Sequence, residues 1–439
     1  MIFNIVLKLS PIAQLGVTES VQRQVPILNG QGDWKEGKNL QDTSFTFVLA
    51  AGFLLSVLCA LVLPLAVEIS AINAIILAPI LFFNLINFNY GAYFRSNYLF
   101  GKAGIISFAN GFLSIASLLL TYRYSFEGFI VGQLIRFGLV SIISAWLAKR
   151  KIEFNRQFAT VKLLVSDGMP VVLISLINYL LMLQDRLVIS YFFDIEQLGH
   201  YGLAFLLINP LLLVFGAVNA VMYSKLSFDY GEGGRVIALS RLTALSNLQS
   251  WVFAFLIGIV YYQLPLIVDK ILFDYKPGLS AAEYILLGHV FFFSLGLLNN
   301  TFNTLNEQKR RLKVYFINVV LGLVLNLIFL FFYKSIASVA LASSLTFLLL
   351  FVQLYLALNR IQEKSLHIKG LQLLRQLMVP TGSIIIIIII KCLIDYQSLV
   401  LTTALRSVCF CVVMGVYLYL IIDKGILVKF ANEFFFSRR

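Results

Sequence analysis

LQDRLVISYFFDIEQLGHYGLAFLLINPLLLVFGAVNAVMYSKLS, residues 183–227, reads as two apolar helices joined by a very short acidic turn. Asp185 and Arg186 lie inside the first helix, Asp194 and Glu196 mark the turn, and Gly199, His200 and Tyr201 open the second. A charge inside an apolar helix costs roughly 2.5–3.5 kcal/mol at a bilayer centre. Such residues face a protein-lined interior, so they are where function is sought first.

Outward from this stretch the chain keeps the same character. Of its 439 residues 60% are hydrophobic and 13% charged, with a mean hydropathy of +0.89. These values exclude an ordinary soluble domain and predict an all-α polytopic membrane protein. Thirteen segments are expected to span or nearly span, at 2–17, 44–66, 70–94, 103–122, 126–148, 169–193, 200–224, 248–269, 281–304, 314–333, 336–358, 376–391 and 399–422. The run Ile384 to Ile390 has strand propensity in water, but a lone strand in lipid leaves its backbone unsatisfied, so helix is expected there too. Cys59, Cys392, Cys409 and Cys411 all lie in apolar segments and read as small packing residues; Cys409 and Cys411, two apart, point to different helix faces.

The net charge of +13 suggests nucleic acid only until it is mapped. Alternate connections, together with the tail, carry 25 Lys and Arg, whereas the connections between them carry five. That asymmetry predicts cytoplasmic basic loops and a cytoplasmic C-terminus. Four basic residues remain inside spans, Lys8, Arg136, Arg186 and Arg406, beside the intramembrane acid Asp185.

The chain also repeats. At an offset of 208, Phe94 matches Phe302, Phe108 matches Phe316, Asn110 matches Asn318 and Leu119 matches Leu327. At an offset of 200, Gly16 matches Gly216 and Val21 matches Val221. The expected organisation is an N-terminal helical bundle over 1–148, incomplete at its start, then a basic linker over 149–168 and a C-terminal bundle over 169–358. A second linker covers 359–375, and two additional helices with a tail cover 376–439. Two pseudo-symmetric bundles are a recurrent transporter architecture. The first-half partner of segment 169–193 falls before Met1, so the repeat predicts a further helix upstream.

The residues now support a resemblance. DRLVISYFFDIEQLGHYGLAFLL, beginning at Asp185, resembles the seventh and eighth helices of Wzx-type polysaccharide flippases in the multidrug/oligosaccharidyl-lipid/polysaccharide exporter superfamily. TLNEQKRRLKVYFINVVLGLVLNLIFLFF, with Ile336, Ala337 and Ala340 beyond it, is similar to that family's basic loop and its eleventh and twelfth helices. AQLGVTESVQRQVPIL at 13–28 resembles the end of its second helix. The resemblance implies a MATE-like flippase fold of fourteen helices, of which this chain would begin within the second. It further implies export of oligosaccharide repeat units on undecaprenyl pyrophosphate across the bacterial inner membrane by alternating access, for O-antigen or a related glycan.

The residues suit that cargo. A pyrophosphate is a dense anion, and arginine offers it forked hydrogen bonding. Arg136, about ten residues into its helix, falls near the midplane, and with Arg186, Arg406 and Lys8 forms the expected substrate-binding set. Each has a blander reading as a structural pair, and for Arg406 and Lys391 as a cation reaching the headgroups. Asp185 and His289 are the candidates for ion coupling, against roles as a structural anchor and a buried core histidine. No catalytic residue, metal or cofactor is expected, and the expected partners are the lipid-linked oligosaccharide, membrane lipids and other glycan-assembly membrane proteins. A multidrug/cation antiporter is less well matched, because four interior cations face one clear acid. A peptidoglycan-precursor flippase shares the charge balance. A glycan polymerase is disfavoured by outer connections of at most about a dozen residues.

Overall fold

The computed structural model describes residues 7, 10–66, 71–150, 153–154, 157–361, 366–395 and 398–421. Among them there is no strand, and the chain is all-α. Its helices are α1 (Val17–Gly30), α2 (Trp34–Ala66), α3 (Ala71–Ser96), α4 (Phe100–Ala148), α5 (Phe158–Phe192) and α6 (Ile195–Lys270). They continue as α7 (Leu279–Phe293), α8 (Gly296–Thr304), α9 (Gln308–Phe332), α10 (Ile336–Ile361), α11 (Leu366–Leu393) and α12 (Leu399–Ile421).

Two of these are too long for one crossing. At 1.5 Å per residue α4 would run roughly 70 Å, about twice a bilayer. It is bent at Tyr124 (φ −123°) and Ser125 (φ 51°), between the segments expected at 103–122 and 126–148. α6 is bent at Gly234, whose φ of 67° suits a residue without a Cβ. Among the described residues eleven stretches are long and apolar enough to cross a membrane, with Phe100–Ala148 counted as one. The expected segment 2–17 lies largely outside the described residues.

Three local expectations need revision. The loop expected at 18–43 is mostly helix, because Val17, Val21 and Val25, four apart, form an apolar stripe that packs on Leu40 and Leu164. For the same reason α5 begins at Phe158, within the expected linker. The segment expected at 281–304 is interrupted at Ser294 and Leu295, between α7 and α8.

The chain forms two compact units. The first comprises residues 1–173 and 223–234. Its helices approach closely where glycine allows: a Cβ on Gly168 would lie 1.8 Å from the Gly16 carbonyl oxygen, and one on Gly231 2.1 Å from that of Ile27. The ion pair Arg23–Asp167 adjoins the Gly168 contact in sequence, and a second buried pair, Arg150–Asp42, lies in the same unit. The second unit comprises residues 174–222 and 235–439. An aromatic cluster of Phe215, Phe253, Phe292, Phe293 and Phe347 fills its centre. The last two helices are pinned to it by Trp251 Nε1 donating to the Met414 carbonyl at 3.0 Å and Tyr262 Oη donating to that of Ile387 at 2.7 Å. Phe410 stacks into the space left by Gly258.

Three of the repeated phenylalanine and leucine pairs share environments. Phe94 and Phe302 are both fully buried, whereas Phe108 and Phe316 are 78% and 60% exposed, as lipid-facing side chains would be. Leu119 and Leu327 are likewise exposed. Gly16 and Gly216 differ: the first is a backbone contact, and the second has open space around it.

Candidate functional site

In the first unit the two arms of α4 turn back on one another. Near the bend they touch through small residues, since a Cβ on Gly128 would lie 2.0 Å from the Leu120 carbonyl oxygen and one on Gly132 2.9 Å from Ser117 Cβ. Further along, the arms are bridged by side chains. Arg136 Nε donates to Asn110 Oδ1 at 2.8 Å, and Nη1 donates to Gln133 Oε1 at 2.8 Å. The guanidinium also lies 4.6 Å from the centre of the Phe137 ring. Two of its five N–H donors are thereby used, and its orientation is set before any ligand arrives.

Arg136 lines a cavity of about 520 Å³ enclosed by α3, both arms of α4 and Leu7. That volume falls within the roughly 300–1,000 Å³ usual for ligand sites. The amides of Asn84, Asn87, Asn110 and Gln133 and the guanidinium of Arg95 share its lining. No carboxylate does, among the described residues. Such a lining presents polar side chains and positive charge to whatever enters. Arg95 and the amides at 84, 87 and 133 were not singled out from the sequence. Arg95 adjoins the connection between the segments expected at 70–94 and 103–122, the ordinary place for a basic residue, and side-chain amides stand out weakly in an apolar sequence.

The second unit has an interior polar site of its own. Asp185 is 4% exposed; its Oδ2 accepts from Tyr201 Oη at 2.6 Å and its Oδ1 from the Arg186 backbone N–H at 2.7 Å. The Arg186 guanidinium takes another partner, lying 3.5 Å from the centre of the Phe205 ring. Tyr201 and Phe205 are four apart on α6, so one face of that helix serves both members of the charged pair. Among the described residues no hydrogen bond or ion pair engages the Arg186 guanidinium. His289 is fully buried among Phe292, Phe293 and Phe347, with Nδ1 2.8 Å from the Ile285 carbonyl and Nε2 without a partner. Arg186 is near enough to act on it electrostatically.

Two expected cations are placed differently. Arg406 donates from Nε to the Ile394 carbonyl at 2.8 Å and from Nη2 to that of Lys391 at 2.9 Å, with Asp395 at 3.9 Å. It therefore caps the C-terminus of α11, where cations are favoured, and joins neither polar site. Lys391, which headgroup contact was expected to explain, pairs with Glu283 at 2.7 Å and touches Tyr261 Oη at 3.2 Å. Lys8 lies outside the described residues. Among the described residues no cluster of three or more His, Cys, Asp or Glu is disposed to hold a metal.

This architecture, with its multiple apolar helices, is that of a multi-pass membrane protein with a MATE-like fold. An outward-facing multidrug-resistance MATE family transporter of the MOP superfamily matches it with a TM-score of 0.71 at 14% identity, covering 83% of this chain and 88% of the other. An Asp-to-Asn mutant of a Vibrio cholerae MATE transporter matches with a TM-score of 0.69 at 14% identity, covering 83% and 88%. At that identity the likeness establishes the fold. Residues 31–273 match the family model described as polysaccharide biosynthesis protein, and the chain belongs to that family. No curated protein matches the chain.

Proposed function

We propose that this protein is a flippase that moves oligosaccharide repeat units, carried on undecaprenyl pyrophosphate, from the cytoplasmic to the periplasmic face of the bacterial inner membrane. The cargo would serve O-antigen or a related surface glycan, and the route would be alternating access. The observation that carries this reading is the cavity holding Arg136, whose charged lining among the described residues consists of Arg95 and Arg136 with no carboxylate. In a low-dielectric interior such a lining attracts a phosphate and repels a cationic drug. Family membership supplies the glycan pathway, and the asymmetry of basic connections supports a cytoplasmic C-terminus.

Arg186 belongs to the same reading as a cation whose donors are unspent, ready for an anion. Asp185 and His289 are its candidates for ion coupling. The reading needs no catalytic step and no cofactor, and it allows contact with other glycan-assembly membrane proteins.

The decisive experiment compares surface glycan by gel in a deletion strain with and without this chain. Loss of the polymer ladder on deletion and its return on complementation support the proposal. Unchanged glycan with altered drug tolerance favours a multidrug/cation antiporter. Lysis on depletion favours a peptidoglycan-precursor flippase, whose cargo shares the pyrophosphate. Substituting Asp185→Asn tests coupling: export should lose its dependence on the ion gradient, and an unchanged dependence removes Asp185 from that role.

A further inference from the structure

Arg95 lies in the last turn of α3, beside the basic connection 95–102. A long cationic side chain at such a position ordinarily extends outward to water and headgroups. Arg95 instead turns back along its own helix. A Cβ on Gly91, one turn earlier, would lie 3.2 Å from Arg95 Nη1, 3.6 Å from Nη2 and 3.7 Å from Cζ. Side chains on a helix lean toward its N-terminus, and the missing side chain at 91 leaves the guanidinium room to follow that lean. Arg95 and Gly91 both line the cavity that holds Arg136.

The partners of Arg95 are few and loosely held. Nη2 donates to Gln22 Oε1 at 3.4 Å, while Nε is buried without a partner. Glu19, one turn from Gln22 on α1, acts on the guanidinium electrostatically, and its own Oε2 is buried without a partner. No ion pair joins Glu19 to Arg95 among the described residues. A buried cation near a carboxylate, each with an unsatisfied atom, is costly for a purely structural arrangement. It suits a cation that must change partners. Arg136 lies deeper: its partner Asn110 is ten residues into α4, about 15 Å along the helix.

We infer that Arg95 and Arg136 are two ligands, at different depths of one cavity, for the two phosphates of a prenyl diphosphate. Gly91 admits Arg95 to the cavity, and Glu19 is the counter-charge that competes for it. The inference rests on reading this cavity as the headgroup site, and the test separates the two.

Purified full-length protein in detergent is titrated with farnesyl pyrophosphate, farnesyl phosphate and farnesol, and each variant is also melted. Gly91→Ala keeps both arginines yet crowds Arg95, and Arg95→Gln removes its charge. Each should weaken farnesyl pyrophosphate binding by about ten- to a hundredfold, narrow the preference over the monophosphate, and leave farnesol unaffected. Glu19→Gln should tighten it. Full-strength binding by Arg95→Gln, with binding lost in Arg136→Ala, overturns the role of Arg95 while the headgroup site stands. Full-strength binding by Arg136→Ala as well overturns the site itself. Should Gly91→Ala fail to fold, Arg95→Gln decides alone.

Discussion

Asn110 and Arg136 lie on opposite arms of one bent helix, and Asn110 Oδ1 accepts the Arg136 Nε–H at 2.8 Å. An isolated arginine has many rotamers; this one is held between Asn110, Gln133 and the Phe137 ring. Asn110→Leu keeps the charge and removes the clamp. Hydrogen bonds to charged groups contribute about 1.5–3 kcal/mol, so export should fall roughly ten- to a hundredfold at normal protein level. Glycan gels with quantified membrane protein check this, and unimpaired export would show that the clamp is dispensable.

Arg136 and Arg186 are the interior cations proposed to meet the anionic headgroup, one in each unit. The double variant Arg136→Ala, Arg186→Ala should abolish glycan export with the protein still present in the membrane. Full complementation of a flippase-null strain by that variant would sink the proposed role of both residues.

Gly168 touches the Gly16 backbone, and a Cβ there would lie 1.8 Å from the Gly16 oxygen. Backbone cannot yield as a side chain can. Gly168→Ala should therefore destabilise the first unit by at least the roughly 1–3 kcal/mol typical of overpacking, seen as a lower melting temperature. Gly216→Ala, with open space around it, should melt normally. Equal melting of the two variants would contradict this account.

Arg406 caps α11 through two carbonyls. Arg406→Ala should lower thermal stability and membrane abundance, by about 1–3 kcal/mol for the lost charged hydrogen bonds. Export per molecule should be unaffected. Reduced export at undiminished abundance would return Arg406 to the substrate path.

Several features of the site were legible before any fold was known. Asp185, Arg186 and Arg136 could be recognised because a charge in an apolar run is conspicuous and needs a partner in lipid. Neighbours in sequence point to different faces of a helix, and here Asp185 meets Tyr201 while Arg186 meets Phe205. Arg95 was hidden because its sequence position, at a helix end beside a basic loop, is the ordinary place for a cation that faces water. Arg406 misled in the reverse sense: its place inside a span suggested a cavity, yet a helix end lay within reach.

By itself the sequence determined that this chain is all-helical and membrane-embedded, and which connections are basic. These follow from hydropathy, period and charge, which are properties of residues taken singly or along one helix. Only the tertiary structure decided that Arg136 and Arg95 share a cavity, that Arg406 is a cap, and that residues 17–30 are helix. Those outcomes depend on which helices lie side by side, on where a missing Cβ makes room, and on the direction in which a long side chain folds.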